Sequence, residues 1–459
     1  MVHALRSSRV VTPHGELDAT IVIEDDIITA VHPSPLATHL SHLPTEDLGD
    51  LALLPGLIDA HTHINQPGRT DWEGFPTATR AAAAGGFTTV VDMPLNCLPE
   101  TTTVSNLTIK RESIHNSAFI DYALWGGCVD GNQDHLEPLA RAGVPGFKAF
   151  LIYPGCDGFT AIDRANLERA LPHIAATGLP LLVHAELEPA IAASTAQLNA
   201  THADWTRYST YLASRPDAAE LDAIELLIAL CREHRFRLHI VHLSTAQALP
   251  MLAAARAEGL PLTVETCPHY LHCAAEDIPD SAVLFKCAPP IRSAANRDAL
   301  WHALQHGLID LIATDHSPCP PAMKHPDPTQ PARFDTAWGG IASLSTALSV
   351  IWTEAHARNH TLTQLAQWLS LAPARLVGID KHVGSIEPGK HASLVAFDPD
   401  AAFTVTPDAL HYRHKLSPYM GQTLRGRVHA TWLRGERVFS RTDTEDVFPI
   451  TPRGREHTL

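Results

Sequence analysis

Between Leu51 and Pro318 the chain alternates between two kinds of segment, and this alternation limits its fold more than any other feature. The first kind is short, apolar and often β-branched: "LALLPGLIDAHTH", "FTTVVDMP", "FIDYALWGG", "GFKAFLIY", "LPLLVHAE", "RLHIVHLS", "LPLTVETCPH" and "LIDLIATDHSP". The second is longer and rich in Ala and Leu, as in "TATRAAAAGG", "ANLERALPHIAATG", "LDAIELLIALCREHR" and "ANRDALWHALQHG". Parallel strands covered on both faces read as near-continuous apolar runs. Several of the longer segments stop at Gly, which closes helices in a left-handed conformation. Eight strand–helix units over roughly 250 residues predict an α/β fold, a (β/α)8 TIM-like barrel. The alternative is a doubly wound open sheet. It normally has fewer strands, and the GxGxxG turn that would mark it does not follow the first strand.

The two ends differ from this middle. "ATIVIEDDIITAVHP" near the start, and "GSIEPGKHASLVAFDPD" and "GRVHATWLRGERVFS" near the end, alternate apolar with polar residues and carry Gly, Pro and Asp punctuation. They predict a small β-sandwich built by both chain ends: residues 1–53 and 383–459 around a barrel over 54–382. Two late helices, "SLSTALSVIWTEAHARN" and "TLTQLAQWLSLAPARLVG", link barrel to tail.

A net charge of −16, with no run of Lys and Arg, argues against a nucleic-acid surface. No apolar stretch reaches the length of a membrane span, and the first residues lack the apolar core of a secretion signal. Eight scattered cysteines read as reduced thiols. Together these predict a cytoplasmic protein with a small-molecule ligand and neither nucleic acid nor membrane as partner.

Chemistry-bearing residues recur near the C-terminal ends of the proposed strands, where barrels build their active sites. His61 and His63 are two apart, so in a strand they face the same way. Lys148 lies in "GFKAFL", His184 in "LLVHAE", His242 in "IVHLS" and Asp315 in "IATDHSP". An isolated His in an apolar run is ordinarily a hydrogen-bonded core residue, and a lone Asp a cap or ion-pair partner. His239, an odd number of residues from His242, is taken as structural. Four imidazoles and a carboxylate at matching strand ends are harder to explain that way; they suit a borderline-soft divalent ion such as zinc. Lys148 is costly to bury as an ammonium, and burial lowers its pKa.

The ordered set "DAHTH…GFKAF…VHAE…VHLS…ATDHSP" resembles the cyclic amidohydrolases of the amidohydrolase superfamily: dihydroorotases, hydantoinases (dihydropyrimidinases) and allantoinases. The resemblance spans nearly the whole chain. It implies two divalent ions, zinc by expectation, with His61 and His63 on the more buried one and His184 and His242 on the other. It also implies Lys148 carboxylated on its side-chain nitrogen as the bridge, Asp315 as both ligand and proton carrier, and a homotetramer.

Within that family, "GRTDWEGF", "VDMPLN" and "FKCAPPIR" look most like the allantoinase branch. Dihydroorotases carry an Arg two residues after the second histidine to grip a ring carboxylate. Here Asn65 stands there, and a ring without a carboxylate offers such a clamp nothing to hold. Tyr153, five residues after Lys148, matches a tyrosine that hydantoinases use near the oxyanion. Cys287 lies in a loop expected to offer backbone contacts to the cyclic amide. Asn96, Ser317 and the pair Gly339–Gly340 complete the expected substrate contacts, with ordinary alternatives as a turn residue, a loop cap and a tight turn. The implied reaction is opening of a cyclic amide, allantoin to allantoate, in purine catabolism. The alternatives are the same chemistry on hydantoins or dihydropyrimidines, and a non-catalytic assembly homologue.

Overall fold

The computed structural model describes residues 2–33, 42–442 and 444–459. Eight parallel strands occupy the eight apolar segments: β1 (Leu57–Thr62), β2 (Phe87–Asp92), β3 (Asp121–Leu124), β4 (Phe147–Phe150), β5 (Pro180–His184), β6 (Arg237–Ile240), β7 (Leu262–Thr266) and β8 (Leu311–Ile312). Each pairs with the next in chain order: β1 to β2 to β3, then β4 through β8. β3 runs on through Gly126–Gly127, which pair with β4 and join the two runs. A parallel bridge between Thr62 and His316, with the His63 amide donating to the His316 carbonyl at 2.8 Å, closes β8 onto β1. The result is the predicted TIM-like barrel.

Local chemistry sets the helix ends. Asp163 caps Arg164–Thr177 by accepting from the Asn166 amide at 2.8 Å, and Gly178 closes that helix at φ 70°. Ser293 caps Ala294–Gln305 in the same way, through the Asn296 amide at 3.2 Å; such caps contribute about 1 kcal/mol each. Between β5 and the long helix Asp217–His234, two further helices intervene, Glu188–Ala200 and Tyr208–Ser214, which the alternation did not predict. The last helical stretch breaks at Gln367–Leu371 into a π turn before Ala372–Val377, and Leu376 and Val377 pack in one cluster with strand residues Ile58, Val91, Leu182 and Leu311.

Both chain ends form one nine-stranded sheet, the predicted β-sandwich, with strands drawn from residues 2–55 and 394–447. Leu5, Ile21, Leu53, Leu394, Ala396 and Trp432 share its core. One expectation is corrected here. "LALLPGLIDAHTH" is not one strand: Ala52–Pro55 pairs with Leu394–Phe397 in the end sheet, and only Leu57–Thr62 enters the barrel. Gly56 is the joint. A Cβ there would meet Thr88 Oγ1 at 2.2 Å, so any larger residue would have to push the Thr88 side chain aside where the chain passes from one sheet to the other. Among the described residues no helix is long and apolar enough to cross a membrane.

Candidate active site

The C-terminal ends of the strands surround a cavity of about 280 Å3 whose lining includes His61, His63, His184, His242 and Asp315. His61 lies within β1 and His63 just beyond it, and their ring centroids are 5.5 Å apart. Asp315 Oδ1 sits 3.4 Å from His61 Nε2 and 3.3 Å from His63 Nε2. One donor atom from each of these three residues falls within 4.8 Å of the others, close enough to share an ion. His184 ends β5 and His242 follows β6; Nδ1 of the first and Nε2 of the second stand 2.9 Å apart, aimed at common space. His242 and Asp315 have left-handed backbone, φ 38° and 46°. Such backbone costs on the order of 1–3 kcal/mol per residue and collects at functional sites.

Lys148, in β4, is fully buried, and its Nζ has no hydrogen-bond partner; it lies 4.6 Å from the Phe150 ring centroid. Burial pulls its pKa down to about 7, against the opposing pull of Glu265 and Asp315. Burial also lowers His63 and His184, and it takes His242 well below the ordinary imidazole value with help from neighbouring His184 and Lys148. These rings are therefore neutral near pH 7, which leaves a lone pair for a metal. Burial alone would raise the Asp315 carboxyl, but His61, His63 and His242 outweigh it and hold that group well below the carboxylate range. Neutral imidazoles, an ionised carboxylate and orphaned buried nitrogens on Lys148 and His242 make a donor set that fits divalent ions.

Behind the donors stands a layer of carboxylates that the sequence reading missed. Glu265 of β7 accepts from His61 Nδ1 at 2.5 Å and from His239 Nε2 at 3.0 Å. His239 thus has a structural role, with its other nitrogen 2.8 Å from Thr263 Oγ1. Glu186 lies 2.7 Å from His184 Nε2 and receives both Nε and Nη2 of Arg215, at 3.0 and 2.6 Å. Asp59 ties β1 to the end of β8, accepting from the amides of His61 and Thr314 at 3.2 and 3.0 Å. Carboxylates behind metal-binding histidines fix ring orientation and tautomer. The available signal was a charged residue inside an apolar run: Glu265 in "LTVETC" and Glu186 in "VHAEL".

The expected substrate contacts fare unevenly. Asn96 lines the cavity at φ 66°, with Nδ2 3.4 Å from His63 Nδ1. Ser317 lines it too, and its hydroxyl donates to Asp315 Oδ1 at 3.1 Å. Gly339 and Gly340 form part of the wall. Tyr153 stands at the rim, 57% exposed, with its hydroxyl donating to Asp157 at 2.5 Å. Cys287 is not brought to the cavity. It is buried behind the wall, its carbonyl accepts from the Tyr211 hydroxyl at 2.6 Å, and the neighbouring Ala288 lines the cavity instead. Asn65 is buried at φ 65°, its Nδ2 3.4 Å from the Pro318 carbonyl, and is not part of the lining. Arg215, Tyr211, Lys286 and Trp338 line the cavity without having been anticipated.

Comparison with known proteins agrees with this geometry. An allantoinase of Streptomyces avermitilis is 50% identical over 440 residues, covering 95% of each chain. An allantoinase of Saccharomyces cerevisiae is 40% identical over 437 residues, 95% of this chain and 91% of that one. Among solved structures, the L-hydantoinase (dihydropyrimidinase) from Arthrobacter aurescens has a TM-score of 0.92 at 29% identity, over 100% of both chains. The sequence model of the amidohydrolase family matches residues 52–438, from the strand that leads into the barrel to the far side of the end sheet. Since that match takes in every strand of the barrel, the chain belongs to the amidohydrolase family.

Proposed function

We propose that this protein opens the ring amide of allantoin to give allantoate, a step of purine catabolism. The observation that carries this reading is the convergence of His61, His63 and Asp315 on one point of the cavity, in a chain half identical to an allantoinase over nearly its full length. In this reading His61, His63, Lys148, His184, His242 and Asp315 hold two divalent ions, zinc being the choice that the donor set suits. Such ions supply Lewis acidity, which brings the pKa of water from ~15.7 to roughly 7 and polarises an amide carbonyl.

The chain's own groups have separate tasks. Lys148, about half of it neutral near pH 7, is poised to add carbon dioxide: a nitrogen–carbon bond forms, one proton leaves, and an anion with two oxygens replaces an orphaned amine. Asp315 takes the proton of the attacking water on its carboxylate and gives it to the leaving ring nitrogen. The Ser317 hydroxyl steadies Asp315 at Oδ1. Glu265 and Glu186 keep the His61 and His184 rings turned toward the cavity. Phe150, stacked on His184 at 4.6 Å between ring centroids, excludes water from that side. A homotetramer and a cytoplasmic location belong to the same proposal.

A second reading, hydrolysis of hydantoins or dihydropyrimidines, draws support from the Arthrobacter aurescens likeness. The deciding assay offers metal-loaded protein allantoin, hydantoin, dihydrouracil and dihydroorotate side by side. Allantoin is expected to have the highest kcat/KM. A clear preference for dihydrouracil would move the assignment to the second reading, and no turnover of any of the four would end both.

A further inference from the structure

Resting on the reading of the site as an allantoinase, we infer that Lys286 is a specificity-determining residue: its ammonium binds the carbonyl oxygen of the substrate's ureido arm, the part that is not hydrolysed. Lys286 lines the same cavity as the imidazoles, and no role in the ring opening falls to it. It is tied to the segment Ala337–Gly340 at both ends. Its carbonyl accepts from the Gly340 amide at 2.8 Å, and its Nζ donates to the Ala337 carbonyl at 2.6 Å. An ammonium has three N–H donors; this bond uses one. The Tyr211 ring centroid is 5.4 Å from Nζ.

Among the described residues no carboxylate lies within ion-pair distance of Lys286. Asp335, the acidic group whose charge reaches it, is bound to Arg333 at 2.7 Å. Burial, with Lys324 and Arg215 nearby, pulls the Lys286 pKa down to about 8. An ammonium partly withdrawn from water with N–H groups unspent is costly unless an acceptor arrives. Arg215, the other cation on the wall, differs in being taken up by Glu186.

The acceptor that fits is neutral. Two half-buried cations with one carboxylate between them would also attract an anion, but the reacting molecule is an uncharged ring with a urea substituent, and the carbonyl of that substituent is an oxygen that ring opening leaves untouched. Hydantoin is the same ring without that arm. The inference therefore separates the two molecules: Lys286 contributes to holding allantoin and nothing to holding hydantoin.

The experiment compares wild type with K286M and K286R. It measures kcat and KM for allantoin and the constant for hydantoin as a competitive inhibitor of allantoin hydrolysis, with melting temperature as the folding control. For K286M, KM for allantoin is expected to rise about 10- to 100-fold, the worth of a hydrogen bond to a charged group. Its kcat should change little and its hydantoin inhibition constant should stay within about threefold, well below a tenfold step. K286R, which keeps a long cationic donor, is expected to recover most of the loss. An unchanged allantoin KM in K286M overturns the inference. So does equal weakening toward hydantoin and allantoin, which would make Lys286 a support of the wall. If K286M fails to fold, K286R alone decides, since an arginine variant with wild-type melting and a hydantoin constant weakened as much as its allantoin KM is again fatal. Wild-type protein that does not turn over allantoin sinks the proposed function; wild-type turnover with an indifferent K286M sinks only this inference.

Discussion

The two walls of the cavity are built by different means. On the imidazole side, donors sit on or just past strand ends, and buried carboxylates brace them from behind: Glu265 against His61, Glu186 against His184, Asp59 against the backbone of His61 and Thr314. Elsewhere in the lining, Lys286, Trp338, Gly339 and Gly340 belong to connecting segments and are held mainly through backbone carbonyls and amides. The first wall must place donor atoms within tenths of an ångström, so it is seated on the sheet. The second only has to recognise a molecule, and loops can change without disturbing the sheet. A chain only 29% identical to a hydantoinase, yet of almost the same shape, is what this division predicts: a shared frame with recognition left to the loops.

The largest effects are expected where the braced wall is cut. Asp315→Asn keeps the shape of the side chain but removes both an anionic donor and the proton carrier. Its kcat is expected to fall roughly 10³- to 10⁴-fold, the upper range for loss of a general acid–base group. Chelation should abolish activity and added zinc restore it, with the loss and return followed by elemental analysis on the same samples. An Asp315→Asn enzyme within tenfold of wild type would show that the carboxylate carries no proton.

Lys148→Ala comes next. Activity is expected to drop more than about 10²-fold, beyond what an outer partner of a metal ligand is worth. Added short-chain carboxylate should restore part of it by standing in for the carbamate. Because the amine has no partner in its burial, the fold should lose little. A melting temperature that falls steeply while activity survives would make Lys148 a structural residue and remove it from the site.

Glu265→Gln tests the brace itself. The side chain keeps its size but no longer bridges His61 and His239 as an anion. Metal affinity, read by competition with a chelator, is expected to weaken about 10- to 100-fold. Stability should fall by roughly 1–3 kcal/mol, because two buried imidazoles lose a charged acceptor. Equal metal affinity in the variant would reduce Glu265 to a packing role.

The same contrast explains what could be read from the sequence. The barrel was legible because buried parallel strands must be apolar, and the ligand positions stood out as polar exceptions at their ends. The break at Gly56 was not, since its cause is the side chain of Thr88, which meets it only in the folded chain. Glu265 was visible as a buried charge, but its partner His61 lies 204 positions away. The helix Glu188–Ala200 buries none of its residues, so it carries no apolar stripe by which to recognise it. On the loop side, Cys287 drew attention through "FKCAPPIR", a loop expected to offer backbone contacts to the substrate. Its neighbour Lys286 reads locally as an ordinary solvated loop residue, and only the fold withdraws it from water.

The smallest expected effect is also the most local test of the loop wall, and it uses a pair of adjacent glycines. A Cβ on Gly340, which sits at φ 142°, would lie 2.6 Å from the Ser317 carbonyl and 2.7 Å from Ser317 Cβ. The nearer of these is backbone and cannot swing aside. A Cβ on Gly339 would meet nothing within 4 Å. Gly340→Ala therefore has to displace Ser317, whose hydroxyl holds Asp315, or displace its own strand of the wall, which the Gly340 amide ties to Lys286. Backbone strain of this kind costs on the order of 1–3 kcal/mol. The expected result is a lowered melting temperature and a loss of kcat/KM for allantoin of roughly tenfold, about 1.4 kcal/mol of it reaching the transition state, while Gly339→Ala matches wild type in both. If the two alanine variants behave alike, the loop wall yields freely to a methyl group, and its part in recognising substrate cannot depend on the close fit between Gly340 and Ser317.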